Sequence, residues 1–133
     1  MAEQESIFIK MMIPQKPLLV KEVLSIEIPA VEGPYLVLPK RAPSMKLIKE
    51  GVIVLKDADE GKIEKFFVSS GIAKIRDNAC TILAHFIQNV EDVDLALINK
   101  ELDLYREKKE THLDEFDCQK IAFFQMIVGY FAK

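Results

Sequence analysis

Few residues in this sequence have the type and spacing that catalysis or metal binding requires. The two histidines, His85 and His112, lie in different parts of the chain, and neither has a second histidine one helical turn away to share a metal. The segment Ser69-Ser70-Gly71 lacks the flanking pattern of a nucleophilic serine at a strand-to-helix elbow. We therefore interpret these serines as hairpin-turn residues and His85 as a residue at the joint between two parts of the chain.

Phosphate-binding and calcium-binding loops are also missing. The glycines at positions 33, 51, 61, 71 and 129 are scattered, and none begins a GxxxxGK or GxGxxG pattern. Residues 57–61 resemble a calcium loop, but the glycine falls at the fifth place rather than the sixth, and Val68 stands where the bidentate glutamate belongs. We interpret residues 57–61 as a solvated hairpin tip. The sequence predicts no catalytic residue, no cofactor and no metal.

Composition excludes several further classes of protein. The chain has 133 residues, half of them apolar, and a net charge of −3, which suits one or two small domains with a packed core. Residues 1–88 carry 12 basic and 11 acidic side chains and residues 89–133 carry 6 and 10, so neither part has the basic stripe of a nucleic-acid binder. No apolar run approaches the roughly 20 residues of a membrane helix. The acidic start is unlike a signal or transit peptide.

The two cysteines are isolated from each other in the pattern. Cys80 falls in a strand pattern and Cys118 in a helix pattern. Buried free thiols in a reducing compartment are the preferred interpretation, and a disulfide is the alternative.

The elements that position these residues are clearest over residues 66–84. An apolar run over residues 66–68 meets a turn at residues 69–71, and a second apolar segment meets a turn at Asp77-Asn78 before the chain returns through residues 80–83. Aromatic and β-branched residues between such turn signals predict consecutive strands joined by tight turns.

The preceding residues give more short strands. Ile7, Ile9, Met11 and Ile13 alternate with outward positions, which predicts a strand with one buried face that Pro14 and Pro17 end. Residues 18–28 are a second apolar stretch, and residues 29–34 are predicted to be a turn cluster because proline and glycine cannot continue a paired strand. A short strand over residues 35–38 is followed by an exposed loop at residues 39–43, and a turn at Gly51 precedes another strand over residues 52–55. The sequence predicts an antiparallel β-sandwich over residues 1–88.

After Phe86 the apolar period lengthens to that of a helix, which places a second domain at residues 89–133. Asn89 and Asp92 have the spacing of an N-cap and its partner three residues on, and Thr111 and Asp114 repeat it. The first helix has one apolar stripe: Leu95, Ile98, Leu102 and Tyr105. The fold class is therefore α+β, with the sandwich followed by an antiparallel two-helix hairpin.

The second helix is more apolar than the first can cover. Its large apolar residues are Leu113, Phe116, Ile121, Phe123, Phe124, Ile127, Val128 and Phe131. Each is worth about 1.5–3 kcal/mol when fully buried, so Phe123 or Phe124 must pack on the sandwich or on another subunit. We expect conditional docking of this helix, with partner contacts through Phe123, Phe124, Ile127 and Phe131.

The order of these segments resembles the epsilon subunit of bacterial F-type ATP synthases. Ile13-Pro14 stands where that family has Thr-Pro, and residues 26–43, IEIPAVEGPYLVLPKRAP, resemble its Pro-Gly, Glu-Gly and Leu-Pro-Gly-His-Ala-Pro segment. Residues 49–55, KEGVIVL, match its Pro-Gly-Val strand. Residues 66–84 match its Val-Ser-Gly-Gly and Asn-x-Val-Thr-Val-Leu-Ala strands. Four such fragments in order are fairly specific.

The resemblance implies a noncatalytic central-stalk subunit that couples rotation of the gamma subunit to the c-ring. It implies a position on the cytoplasmic face of the bacterial inner membrane, peripheral and through the complex only. In the family the segment around residues 30–43 faces the rotor ring, although here Ala30, Leu36 and Lys40 replace glycines and Arg41 replaces a histidine. The implied contacts are Glu32, Gly33, Tyr35, Leu38, Arg41, Ala42 and Pro43.

The resemblance also raises two regulatory roles for the hairpin. Some members bind ATP through an Ile/Leu-Asp-x-x-Arg-Ala motif, but here Leu97 replaces the arginine that pairs with phosphate, so we predict no tight ATP binding. Family hairpins can also reach the catalytic alpha and beta subunits and slow ATP hydrolysis through basic side chains. This second helix is acidic at Asp114, Glu115 and Asp117, so any such contact must rest on aromatic burial.

Two other functions stay open from the residues alone. One is a free-standing β-sandwich adaptor that binds a partner through its aromatic C-terminal helix. The other is a small-molecule domain or enzyme, which a deep pocket lined by His85 and acidic residues would favour.

Overall fold

The computed structural model describes residues 6–40, 42–58, 62–107 and 115–132. Nine strands come first: β1 Ile7–Ile13, β2 Lys16–Ala30, β3 Gly33–Val37, β4 Ser44–Ile48, β5 Gly51–Asp57, β6 Ile63–Val68, β7 Gly71–Arg76, β8 Ala79–Ala84 and β9 Ile87–Asn89. A 3-10 helix, Val90–Asp92, then leads to α1, Leu95–Glu107, and α2, Glu115–Phe131.

The strands pair in the order β1-β8-β7-β4-β2-β5-β6-β9, and β3 joins at the side of β2. The long strand β2 also pairs with β1, so the sheet closes on itself. Every pairing is antiparallel except that between β1 and β8, which is parallel. The result is a β-sandwich followed by two helices, which confirms the predicted fold class.

Alternation in the strands builds the core of the sandwich. In β1 the side chains of Ile7, Ile9 and Met11 are buried and those between them are exposed, as the two-residue period requires. Strands β1 to β8 all contribute to one buried cluster: Ile7, Ile9, Met11, Val23, Ile26, Ile28, Val37, Ile48, Ile53, Leu55, Phe66, Val68, Ala73, Ile75, Cys80, Ile82 and Ala84.

The hairpin from β7 to β8 forms as the sequence predicts. Asp77 and Asn78 have φ of 50° and 61°, the left-handed conformation that both central residues of a type I′ turn adopt. At the start of β7 the backbones approach closely, because a Cβ on Gly71 would lie 2.2 Å from the carbonyl oxygen of Leu83. Only glycine fits there.

The predicted turn cluster at residues 29–34 contains the turn but is too long at both ends. Pro29 lies inside β2 directly opposite Pro34 in β3, and the turn itself is only Val31-Glu32. Pro29 lacks an N–H, but its carbonyl still accepts from the N–H of Lys49 at 2.9 Å. Pro34 is tolerated because β3 pairs with β2 alone, as an edge strand. Pro17 likewise lies inside β2 rather than between strands.

The start of the helical part also differs from the prediction. The side chain of Asn89 accepts from the N–H of Glu91 at 2.9 Å and caps the 3-10 helix rather than α1. Asp94 plays that role for α1, accepting from the N–H of Leu97 at 3.2 Å. The apolar stripe of α1 is confirmed, with Ile98 and Leu102 buried. The second predicted capping pair, Thr111 and Asp114, lies outside the described residues.

A second apolar cluster joins the helices to the sandwich. Phe67 of β6 is fully buried and packs with Ile98 and Leu102 of α1 and with three residues of α2: Phe123, Phe124 and Ile127. Phe66, its neighbour on β6, points the other way into the sandwich core. In the described ranges, no helix is both long and apolar enough to cross a membrane.

Candidate partner-contact surfaces

The residues predicted to face a rotor ring lie at two separate places. Glu32 is exposed in the turn between β2 and β3, beside Gly33 with φ of 133°. Tyr35 is half-buried in β3, and the ammonium of Lys46 lies 4.7 Å from the centre of its ring. Leu38 directly follows β3, and Ala42 and Pro43 are exposed just before β4. Arg41 lies outside the described residues.

The length of β3 separates these positions into two groups. Glu32 and Gly33 lie at the start of this five-residue strand, where Val31 donates its N–H to the carbonyl of Leu47 at 2.9 Å. The other group follows the end of β3, where the N–H of Lys40 bonds to Asn78 at the turn between β7 and β8. At about 3.3 Å per residue, the two groups are more than 10 Å apart along the strand. They lie at opposite ends of β3.

A third surface, which the sequence analysis did not identify, crosses the sandwich. Leu47, Ile72, Leu83 and Met12 pair in a row across β4, β7, β8 and β1, so their side chains share one face. The exposed fraction is 63% for Met45 and 62% for Leu47. We call this the outer apolar face, and it comprises Phe8, Met12, Val20, Met45, Leu47, Ile72 and Leu83.

Cationic side chains are interspersed on the outer apolar face. Lys74 pairs with Met45, and Lys10 pairs with Val20, so both lysines share the face with these apolar residues. Arg76 is exposed at one end, 3.3 Å from Asp77. A partner that covers this face would be apolar and would place carboxylates near the lysines.

The sequence did contain a signal for this face. Strands that alternate cleanly have one solvated side, whereas β1, β4 and β8 read IFIKMMI, SMKLI and ACTILA, with apolar residues on both faces. Such runs indicate a sheet that is covered on both sides. The segments of β1 and β8 were predicted as strands, whereas β4 was not predicted.

The predicted contact residues of the hairpin are mostly covered by the chain itself. Phe123, Phe124 and Ile127 are buried, while Phe131 is 40% exposed. The ring of Phe123 stacks on that of Phe86 with 5.6 Å between centres, and Phe67 meets Tyr130 edge-on at 5.1 Å. The helix therefore docks on the sandwich in this state.

Among the residues considered for chemistry, Ser69 has a structural role, and His112 lies outside the described residues. Ser69 is buried, and its hydroxyl accepts from the N–H of Phe86 at 3.0 Å, which confirms its role at a turn. Across the described part of the chain, no three metal-ligating side chains cluster. Burial raises the pKa of the Cys80 thiol to about 12. Cys118 is free but exposed, so the prediction that it is buried is wrong.

A cleft of about 400 Å³ between the sandwich and the helices is lined in part by His85 and by acidic residues, the feature that would favour a small-molecule site. Its charged groups are Asp92, Asp94, Glu101 and Lys120. Asp94 caps α1, and Glu101 lies 4.0 Å from the ammonium of Lys120. Three carboxylates against one lysine disfavour an anionic ligand such as a nucleotide.

Known proteins with similar sequences point to one family. The family model described as ATP synthase, Delta/Epsilon chain, beta-sandwich domain matches residues 6–90. An ATP synthase epsilon chain of Rhizobium meliloti is 29% identical over 93% of this chain and 97% of its own length. That of Mesorhizobium japonicum is 37% identical over 80% of this chain and 76% of its own.

Solved structures share the whole fold at lower identity. A chain of the Euglena gracilis mitochondrial ATP synthase, in a structure of OSCP, F1 and the c-ring, superposes with a TM-score of 0.69 at 19% identity. The match covers 96% of this chain and 80% of that one. A chain of the Tetrahymena thermophila central stalk and c-ring gives 0.58 at 14% identity, covering 97% and 98%. The chain therefore belongs to the family of F-type ATP synthase epsilon chains, which are noncatalytic subunits.

Proposed function

We propose that this chain is a central-stalk subunit that fastens the gamma subunit to the c-ring and transmits torque between them. Membership of the epsilon-chain family supports this role. The chain would be a peripheral part of the membrane-bound complex, on the cytoplasmic face of the bacterial inner membrane. A torque-bearing part must be stiff, and a closed sandwich with a continuous buried core supplies that stiffness.

The observation that carries the proposal is the outer apolar face. Large apolar side chains in contiguous register across neighbouring strands are costly to leave in water, and exposed patches of this kind mark protein interfaces. The helices pack against β6 on the side of Phe67, and they leave the outer apolar face exposed. We assign this face to the gamma subunit, because a stable attachment between rotor subunits must bury more surface area than a single loop can provide.

The ring contact is assigned to the hairpin between β2 and β3. A sandwich that stands on a ring meets it with one end, and the predicted contacts occupy two ends of β3. The turn presents the exposed Val31 and the carboxylate of Glu32 beside Gly33. Ala42 and Pro43 instead lead into β4, so we assign them to the border of the gamma contact.

A charge placed in the outer apolar face tests the gamma assignment. Ile72→Glu leaves the backbone pairing of β7 intact. When a partner covers the outer apolar face, the new carboxylate becomes buried in the interface. We expect the dissociation constant for co-expressed gamma subunit to rise about a hundredfold. Leu97→Glu is the matched control, since Leu97 is an exposed leucine on α1. Equal binding by the two variants would contradict the assignment.

The same proposal assigns different roles to the two parts of the chain. Residues 1–88 would make the gamma and ring contacts, and residues 89–133 would regulate ATP hydrolysis by leaving the sandwich and reaching the alpha and beta subunits. The docked aromatic side chains of α2 supply the apolar surface for that exchange. Hydrolysis by the assembled enzyme with and without residues 90–133 tests it, and equal rates would remove the regulatory role.

A further inference from the structure

Asn78 connects three segments of the chain at one end of the outer apolar face. Its side-chain oxygen accepts from the backbone N–H of Lys40 at 2.8 Å, and its side-chain nitrogen donates to the carbonyl of Ser6 at 2.8 Å. Its own carbonyl accepts from the N–H of Phe8 at 3.0 Å. One residue in the turn from β7 to β8 therefore ties the connection between β3 and β4 to the start of β1.

The conformation of Lys40 makes this tie necessary. Lys40 has φ of 63°, the left-handed region that residues with a Cβ rarely adopt. Such a conformation persists only where the surroundings hold it. The bond from its N–H to Asn78 is a contact that fixes the direction in which the chain leaves β3.

We propose that Asn78 is a positioning residue that holds the connection between β3 and β4 against the border of the outer apolar face, ready for the partner. The connection continues through Ala42 and Pro43 into β4, whose Met45 lies on that face. A loop held in its bound conformation before the partner arrives loses less entropy on binding. This inference rests on the proposed gamma contact.

Two substitutions separate positioning from folding. Asn78→Gly removes both side-chain hydrogen bonds and still suits the left-handed turn position. Asn78→Asp keeps an oxygen acceptor for the N–H of Lys40 and loses the donor to Ser6. The full chain is used throughout, and hydrogen exchange of the Lys40 amide, the melting temperature and the affinity for the gamma subunit are measured for each variant.

For Asn78→Gly we expect the Lys40 amide to exchange about tenfold faster and the gamma subunit to bind about tenfold more weakly, with the melting temperature within a few degrees of the parent. Asn78→Asp should keep the Lys40 amide protected and recover part of the affinity. Unchanged exchange in Asn78→Gly overturns the tie. Unchanged affinity, or an aspartate variant no better than the glycine one, overturns the positioning role. If the parent chain does not bind gamma, the proposed function fails, while the exchange result still reports on the tie.

Discussion

Phe67 is the fully buried strand residue of the second apolar cluster, and replacing it should weaken docking of the helices selectively. Its side chain is fully buried in the second apolar cluster, with Tyr130 and Phe131 edge-on at 5.1 and 5.8 Å between ring centres. Phe67→Ala removes a buried aromatic side chain, a change that costs about 3–5 kcal/mol in a well-packed site. Because none of the sandwich core depends on this side chain, the loss falls on docking of the helices.

Hydrogen exchange measured by mass spectrometry can locate this loss. If docking weakens by about 3 kcal/mol, the population with α2 undocked rises about a hundredfold, since each 1.4 kcal/mol is a factor of ten. Peptides from α2 should therefore exchange much faster in Phe67→Ala, while those from β7 and β8 keep the parent rate.

The matched control is the neighbouring residue on the same strand. Phe66 has the same side chain but points into the sandwich core, so Phe66→Ala should lower the free energy of unfolding of the strands themselves. Two variants with the same effect on α2 and on β7 and β8 would refute the separation into two cores. Parent-like protection of α2 in Phe67→Ala would refute the role of Phe67 in docking.

Three further predictions concern single positions. Gly71→Ala should lower the free energy of unfolding by about 3 kcal/mol in a urea titration, because the new methyl meets a backbone carbonyl; Gly129→Ala, with nothing within 4 Å of the new methyl, is the control and should not destabilise the chain. At pH 8 an alkylating reagent should modify the exposed Cys118 and spare Cys80, whose pKa of about 12 keeps its buried thiol protonated; equal modification of both would contradict the burial. Calorimetry with ATP should detect no tight binding, as the cleft is acidic and Leu97 supplies no charge, and a micromolar dissociation constant would overturn this.

The strands and helices were predictable where local pattern and tertiary packing agree. The turn at Asp77-Asn78 and the stripe of α1 follow from turn chemistry and from the helical period, and both are confirmed. Prediction failed at Pro34, which an edge strand tolerates, and at Pro29, which lies in β2 and still accepts a hydrogen bond through its carbonyl. It also failed at Asn89, which caps a 3-10 helix rather than α1. A three-residue helix is too short to leave a periodic pattern in the sequence.

The candidate contact surfaces were harder to predict from the sequence. The separation of Glu32 from Ala42 depends on the path of β3, and the tie between Lys40 and Asn78 joins residues far apart in the chain. Neither follows from spacing. The outer apolar face could have been inferred, because β4 and β8 are apolar on both sides, a pattern that a solvated sheet does not require.

Binding of the purified gamma subunit to the full chain and to a chain ended after Val90, just beyond β9, is the most direct measurement of this account. We expect a stable one-to-one complex with both, because the outer apolar face lies on strands that the shorter chain retains. Binding by neither chain would contradict the rotor role. Binding by the full chain alone would place the contact on the aromatic helix, as in an adaptor.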